Sequence, residues 1–192
     1  MTEDDAEFLV KMRQDPVILE YLGTAGIVDI ESAKKYVRMI HMSYEKNGWG
    51  LFILRLKQCG TPIGTVGLVD RPVKIFKEDE VNIGYSILLE YSRKGYIYEA
   101  ARACVDYALS RGIYIVGTTM ERNPVSRHIL EKLGLVYFSD FILPEWPADK
   151  FVCLLPASDI PPNHPTHSYT YPHPPTPKKI PQILKSPDSR LD

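Results

Sequence analysis

The sequence predicts an α/β fold in one domain over residues 1–155, followed by a proline-rich tail over residues 156–192. Two observations carry this reading. Apolar runs rich in β-branched and aromatic residues alternate with segments whose apolar residues recur at helical spacing. That pattern stops at Pro156; from Pro156 to Asp192, 10 of 37 residues are proline and large apolar residues are few. Such a segment is expected to stay extended or disordered, with polyproline II character.

The elements follow in order. Thr2 before Glu3, Asp4 and Asp5 is a helix-start signature, and Ala6, Leu9 and Val10 give that helix its apolar face. Asp15-Pro16 interrupts it. A longer helix is predicted over 31–46, with Ala33, Tyr36, Val37, Ile40 and Tyr44 as its stripe and Asn47-Gly48 as its end. Strands over 50–56 and 62–69 come next, joined by a hairpin loop. The run Val81 to Leu89 reads as a buried strand. Ser92-Arg93-Lys94-Gly95 then opens a helix whose face is Ala100, Ala101, Cys104, Val105 and Ala108, ending at Arg111-Gly112. A strand over 113–119 precedes a helix opened by Asn123-Pro124-Val125-Ser126 and closed by Leu133-Gly134. Strands near 135–142 and 150–155 complete the domain.

Composition narrows the function classes. The formal net charge is −1, so no global basic field points to nucleic acid. Cys59, Cys104 and Cys153 are scattered, which suits a reducing compartment, cytoplasmic or nuclear, rather than a disulfide framework or zinc site. No apolar run is long enough to span a membrane, and the acidic N-terminus does not read as a signal peptide.

The chemistry concentrates in two helix starts. The first N–H groups of a helix have no intrahelical partner, and the macrodipole is positive there. Phosphates bind well at such ends. Gly95 allows close backbone approach, and Arg93 and Lys94 add charge. The same turn also reads as a basic surface turn in which glycine serves geometry alone. The second start, Asn123 to Ser126, places a polar side chain in a first turn, although capping by itself accounts for Asn123 and Pro124. Neither the phosphate-loop pattern of nucleotide hydrolases nor the dinucleotide fingerprint is met.

The ordered set of motifs resembles the GNAT superfamily of acyl-CoA N-acyltransferases, and within it the RimJ/RimL-like branch. The residues concerned are Pro62-Ile63-Gly64-Thr65-Val66-Gly67-Leu68, Ile83-Gly84-Tyr85, Arg93 to Ala100, Asn123-Pro124-Val125-Ser126, and Leu130-Glu131-Lys132-Leu133-Gly134-Leu135. The resemblance covers residues 2–155. It implies a mixed, mostly antiparallel central sheet flanked by helices. The family's first edge strand is apparently missing, which would leave a sheet edge unpaired.

The resemblance also implies a reaction: direct transfer of an acetyl group from acetyl-CoA to a primary amine, on a small molecule or a protein N-terminus, with no metal. Backbone N–H groups of Arg93, Lys94, Gly95, Tyr96 and Ile97 would hold the pyrophosphate. The backbone of Ile87, Leu88 and Leu89 would line the pantetheine arm and supply an N–H to the thioester carbonyl. Asn123 would bond pantetheine, and Ser126 would serve as proton donor to the sulfur. Where the family often has a glutamate base this chain has Asn82, whose amide cannot accept the proton. Glu80, two residues earlier on the same strand face, is the substitute candidate, directly or through water; its other reading is a solvated charge. Ser92 and Ile97 also depart from the family pattern, and the branched Ile97 would crowd the pyrophosphate. The acceptor pocket would be shaped by about 21–29 and 143–149.

The alternative is a degenerate member that acts as an acyl-CoA-binding or interaction module, through its tail or exposed sheet edge. Pro174-Pro175-Thr176-Pro177-Lys178-Lys179 matches a pattern that SH3-type domains read, against the alternative of a solvated tail without partner. His164, His167 and His173 are irregularly spaced and are not expected to hold a metal.

Overall fold

Local chemistry sets the first helices in the computed structural model, which describes residues 1–71, 74–143 and 146–160. Helix α1 (Ala6–Gln14) ends because Asp15 turns extended and Pro16 cannot continue the ladder. The Asp15 carboxylate accepts the Val17 and Ile18 N–H groups and so starts α2 (Pro16–Leu22). Helix α3 (Ile30–Asn47) opens with a reciprocal pair, Ser32 N–H to Asp29 Oδ1 at 2.8 Å and Asp29 N–H to Ser32 Oγ at 3.0 Å.

Strands β1 (Leu51–Arg55) and β2 (Pro62–Val69) form the expected hairpin. Then come β3 (Val81–Ile87), α4 (Tyr96–Ser110), β4 (Ile115–Met120), α5 (Pro124–Lys132), β5 (Leu135–Ile142) and β6 (Lys150–Pro156). The sheet order is β1-β2-β3-β4-β6-β5. Every neighbouring pair is antiparallel except β3 and β4, which are parallel, so the sheet is mixed and mostly antiparallel. β1 forms one edge, with the Tyr44 hydroxyl donating to the Leu51 carbonyl and Arg55 paired to buried Asp5.

Strand alternation divides the core between two faces. Val66, Leu68, Val81 and Ile83 pack with Ala101, Val105 and Ala108 of α4 and Leu130 of α5. On the other face, Leu9, Met12, Ala33 and Val37 of α1 and α3 enclose Leu88. Full burial of side chains this size stabilises by about 1.5–3 kcal/mol each. Gly64 of β2 is required by close approach: a Cβ there would lie 2.2 Å from the Ser86 carbonyl oxygen.

Three boundaries differ from expectation. β3 ends at Ile87 because Leu89–Tyr91 winds into a 3₁₀ turn. β4 starts at Ile115 because the Ile113 N–H closes the end of α4 on the Ala108 carbonyl. The ordered domain also runs past 155: Pro156 completes β6, Ala157–Asp159 forms a 3₁₀ turn, and Ile160 packs against Val116, Cys153 and Leu155. The proline motif at 174–179 and the three tail histidines lie outside the described residues.

Candidate functional site

The parallel pair β3 and β4 is joined only at Val81–Ile115 and Asn82–Val116. Beyond those two pairs the strands part, although β3 stays laddered to β2 and β4 to β6. The Val81 N–H donates toward β4, to the Tyr114 carbonyl, and the Leu88 N–H donates toward β2, to the Ile63 carbonyl. Alternation between them turns the N–H groups of Tyr85 and Ile87 into the gap, where the ladder offers no partner. Of the three residues expected to present backbone here, Ile87 faces the gap. Leu88 does not: its N–H is taken by Ile63, and its side chain is buried under α1 and α3. Leu89 has left the strand, and its side chain is half exposed.

Side chains bridge the gap on both faces. On the α4 and α5 face, the Tyr85 hydroxyl donates to the Ser126 carbonyl at 3.0 Å and lies 3.2 Å from Ser126 Oγ. Burial raises the Tyr85 pKa, so the phenol stays protonated. Asn123 Oδ1 accepts the Ser126 N–H at 3.0 Å, and Pro124 occupies the first helical position. On the opposite face, Thr118 Oγ1 donates to Asn82 Oδ1 at 2.8 Å, and Asn82 Nδ2 donates to the Ile83 carbonyl at 3.0 Å. Tyr85 is the residue that sequence reasoning missed as a partner of Ser126. Its signal was parity: it shares the face of Val81 and Ile83, and so meets α5 with a polar tip.

The basic turn leads from β3 to α4. Arg93 has φ +61° and Gly95 has φ +83°, conformations that favour glycine at the second position. No side chain caps α4. Its first intrahelical bond is Glu99 N–H to the Gly95 carbonyl, which leaves the N–H groups of Tyr96, Ile97 and Tyr98 at an uncapped start. Arg93, Lys94 and Gly95 are exposed beside them. This donor set fits a diphosphate: free N–H groups, a positive dipole end and two exposed cations. Ile97 does not crowd that position. It is only 5% exposed, so its side chain points into the protein and offers phosphate no surface.

Glu80 is corrected as well. It is 3% exposed, not solvated. Its Oε1 accepts the Ile75 N–H at 2.7 Å, and its Oε2 accepts those of Phe76 at 2.7 Å and Lys77 at 2.9 Å. The carboxylate organises the loop before β3 and is engaged on both oxygens, which removes it as a ready base.

The two segments expected to shape an acceptor pocket meet at the end of the gap. A Cβ on Gly23, just past α2, would lie 3.3 Å from the Trp146 ring. Arg122, after β4, pairs with Glu20 of α2 at 2.5 Å and with Asp149 before β6 at 2.7 Å. Nearby lies an open groove of about 510 Å³, lined by Lys11, Gln14, Asp15, Leu88, Leu89 and Glu90. Among the described residues, no helix is long and apolar enough to cross a membrane.

Comparison with known proteins agrees with this architecture. The model of the acetyltransferase (GNAT) domain matches residues 1–136. The uncharacterized protein YkkB of Bacillus subtilis strain 168 is 27% identical over 136 residues, 70% of this chain and 77% of its own length. The ribosomal-protein-S5-alanine acetyltransferase of Vibrio fischeri superposes with a TM-score of 0.66 at 18% identity, over 80% of this chain and 88% of that one. The microcin C7 self-immunity acetyltransferase MccE, solved with acetyl-CoA and AMP, gives a TM-score of 0.65 at 13% identity over the same shares. The likeness to these solved structures is one of fold. With a family model that matches residues 1–136, more than half of its length, the chain belongs to the acetyltransferase (GNAT) domain family.

Proposed function

We propose that this protein is an acetyl-CoA-dependent N-acetyltransferase that transfers the acetyl group directly to a primary amine, and that it favours α-amines over lysine ε-amines. The observation that carries this is the gap between β3 and β4, flanked by the uncapped start of α4 and by Ser126. Bound acetyl-CoA supplies the acetyl group as a thioester. The N–H groups of Tyr96, Ile97 and Tyr98, with Arg93 and Lys94, would hold its pyrophosphate. The Ile87 N–H would face the carbonyl oxygen on which negative charge develops. Ser126, oriented by Tyr85 and by the Asn123 cap, would give its proton to the departing thiolate and would regain one, through solvent, from the nitrogen that becomes the amide.

The preference among amines follows from the absence of a free base at the family's usual place. Asn82 cannot take a proton, Glu80 is held by three backbone N–H groups, and Glu20 and Asp149 are paired to Arg122. The amine must then arrive neutral. An α-amine with pKa about 7.8 is roughly one-third neutral at pH 7.5, whereas an ε-amine with pKa about 10.4 is about 0.1% neutral. The Vibrio fischeri neighbour, a ribosomal-protein-S5-alanine acetyltransferase, points the same way.

The test is thiol release from acetyl-CoA with two peptides. One has a free N-terminal alanine and no lysine; the other is blocked at its N-terminus and carries one lysine. The first should react about 10²-fold faster at pH 7.5, with a rate that climbs with pH, is half-maximal near pH 7.8 and levels about one unit above it, following its neutral fraction. A faster ε-amine would overturn the preference. Absence of acetyl-CoA binding at millimolar concentration to the folded protein would overturn the function.

A further inference from the structure

One residue outside that chemistry joins three segments around the open end of the gap. Arg122 directly precedes the capping Asn123. Its Nη1 donates to Glu20 Oε1 at 2.5 Å, its Nη2 to the Glu20 carbonyl at 3.3 Å, and its Nε to Asp149 Oδ1 at 2.7 Å. The guanidinium lies 5.1 Å from the Tyr21 ring centroid, and the Tyr21 hydroxyl donates back to the Arg122 carbonyl at 3.5 Å. Side chain and main chain of Arg122 are thus both engaged by α2.

The third segment is the turn before β6. The Asp149 N–H donates to the Trp146 carbonyl at 3.0 Å, and Trp146 stands against Gly23. Single exposed ion pairs contribute little. A planar guanidinium held on two sides over an aromatic ring also fixes orientation, which a lysine ammonium does not.

We propose that Arg122 is a positioning residue that sets the acceptor-side wall, formed by α2 and the Trp146–Asp149 turn, in register with the α5 start that carries Ser126. This rests on the reading of the site as an amine acetyltransferase. Arg122 touches neither reactant in this account. It acts by holding the incoming amine's surroundings at a fixed distance from the proton donor.

The test uses the full chain with Arg122→Ala and Arg122→Lys, and the alanine-start peptide as acceptor. Arg122→Ala should lower kcat/KM for the peptide about tenfold while the acetyl-CoA Kd stays within about twofold. Hydrogen exchange should quicken at 17–23 and at 146–150 but not at 127–132. Arg122→Lys, which keeps charge without the fork, should remain at least about threefold impaired. Unchanged exchange at both walls overturns the proposal, as does an acetyl-CoA affinity that falls in step with turnover. If the unaltered protein acetylates no amine, the proposed function has failed, and exchange still decides whether Arg122 ties the walls together.

Discussion

Helix α4 begins at Gly95 with no side chain over its first N–H groups, whereas α5 begins at Asn123, whose Oδ1 takes the Ser126 N–H. Both starts lie at the same end of the parted strands. The uncapped start keeps its donors and its positive dipole end for an anion. The capped start gives up a donor, and Pro124 removes another, yet in return Ser126 is held where Tyr85 reaches it. On the proposed function, one helix start would serve as a binding surface and the other as a frame for a side chain.

Three substitutions break or sharpen that contrast. The largest effect is expected at the framed start. Ser126→Ala should lower kcat by about 10²–10⁴, the usual range for loss of a general acid, while acetyl-CoA affinity by calorimetry changes little. Equal losses in both would make Ser126 a binding residue and erase the contrast. Next is Ile97→Ala at the uncapped start. Because Ile97 is buried, the change should destabilise by about 2–5 kcal/mol in denaturant unfolding and leave acetyl-CoA affinity of the folded protein unaltered. Tighter binding would revive the view that this side chain crowds the phosphates. The smallest is Asn123→Ala, which removes the α5 cap. It should cost about 1 kcal/mol and lower Tm by about 2–4 °C in a chain of this size. An unchanged Tm would mean that the cap is not what stabilises this start.

The elements were largely legible from sequence because hydrophobic periodicity and punctuation are local. Asp15-Pro16 marks the break between α1 and α2, Gly48 the end of α3, and Asn123-Pro124 the start of α5. The site was legible only in part, because its decisive contacts are distant in sequence. Tyr85 and Ser126 are 41 residues apart, and Arg122 and Glu20 are 102 apart. Glu80 was misread for a different reason: its partners are backbone N–H groups of a charged loop, and no residue type advertises them. Ile97 was judged by its neighbours in a motif, while its environment was set by the packing of a helix.

The two-pair junction of β3 with β4 has a further consequence, for the lifetime of the molecule. The sheet amounts to two three-stranded blocks stitched at one short seam, with helices laid across it. Local opening starts where a structure is least closed, and a protease samples such openings more readily than global unfolding. On the proposed function, a ligand lying along the seam would stand in for the missing rungs. At a concentration 100 times its Kd it would add about 2.7 kcal/mol to the folded state. The supply of that ligand would then govern how long the chain persists as well as how fast it works.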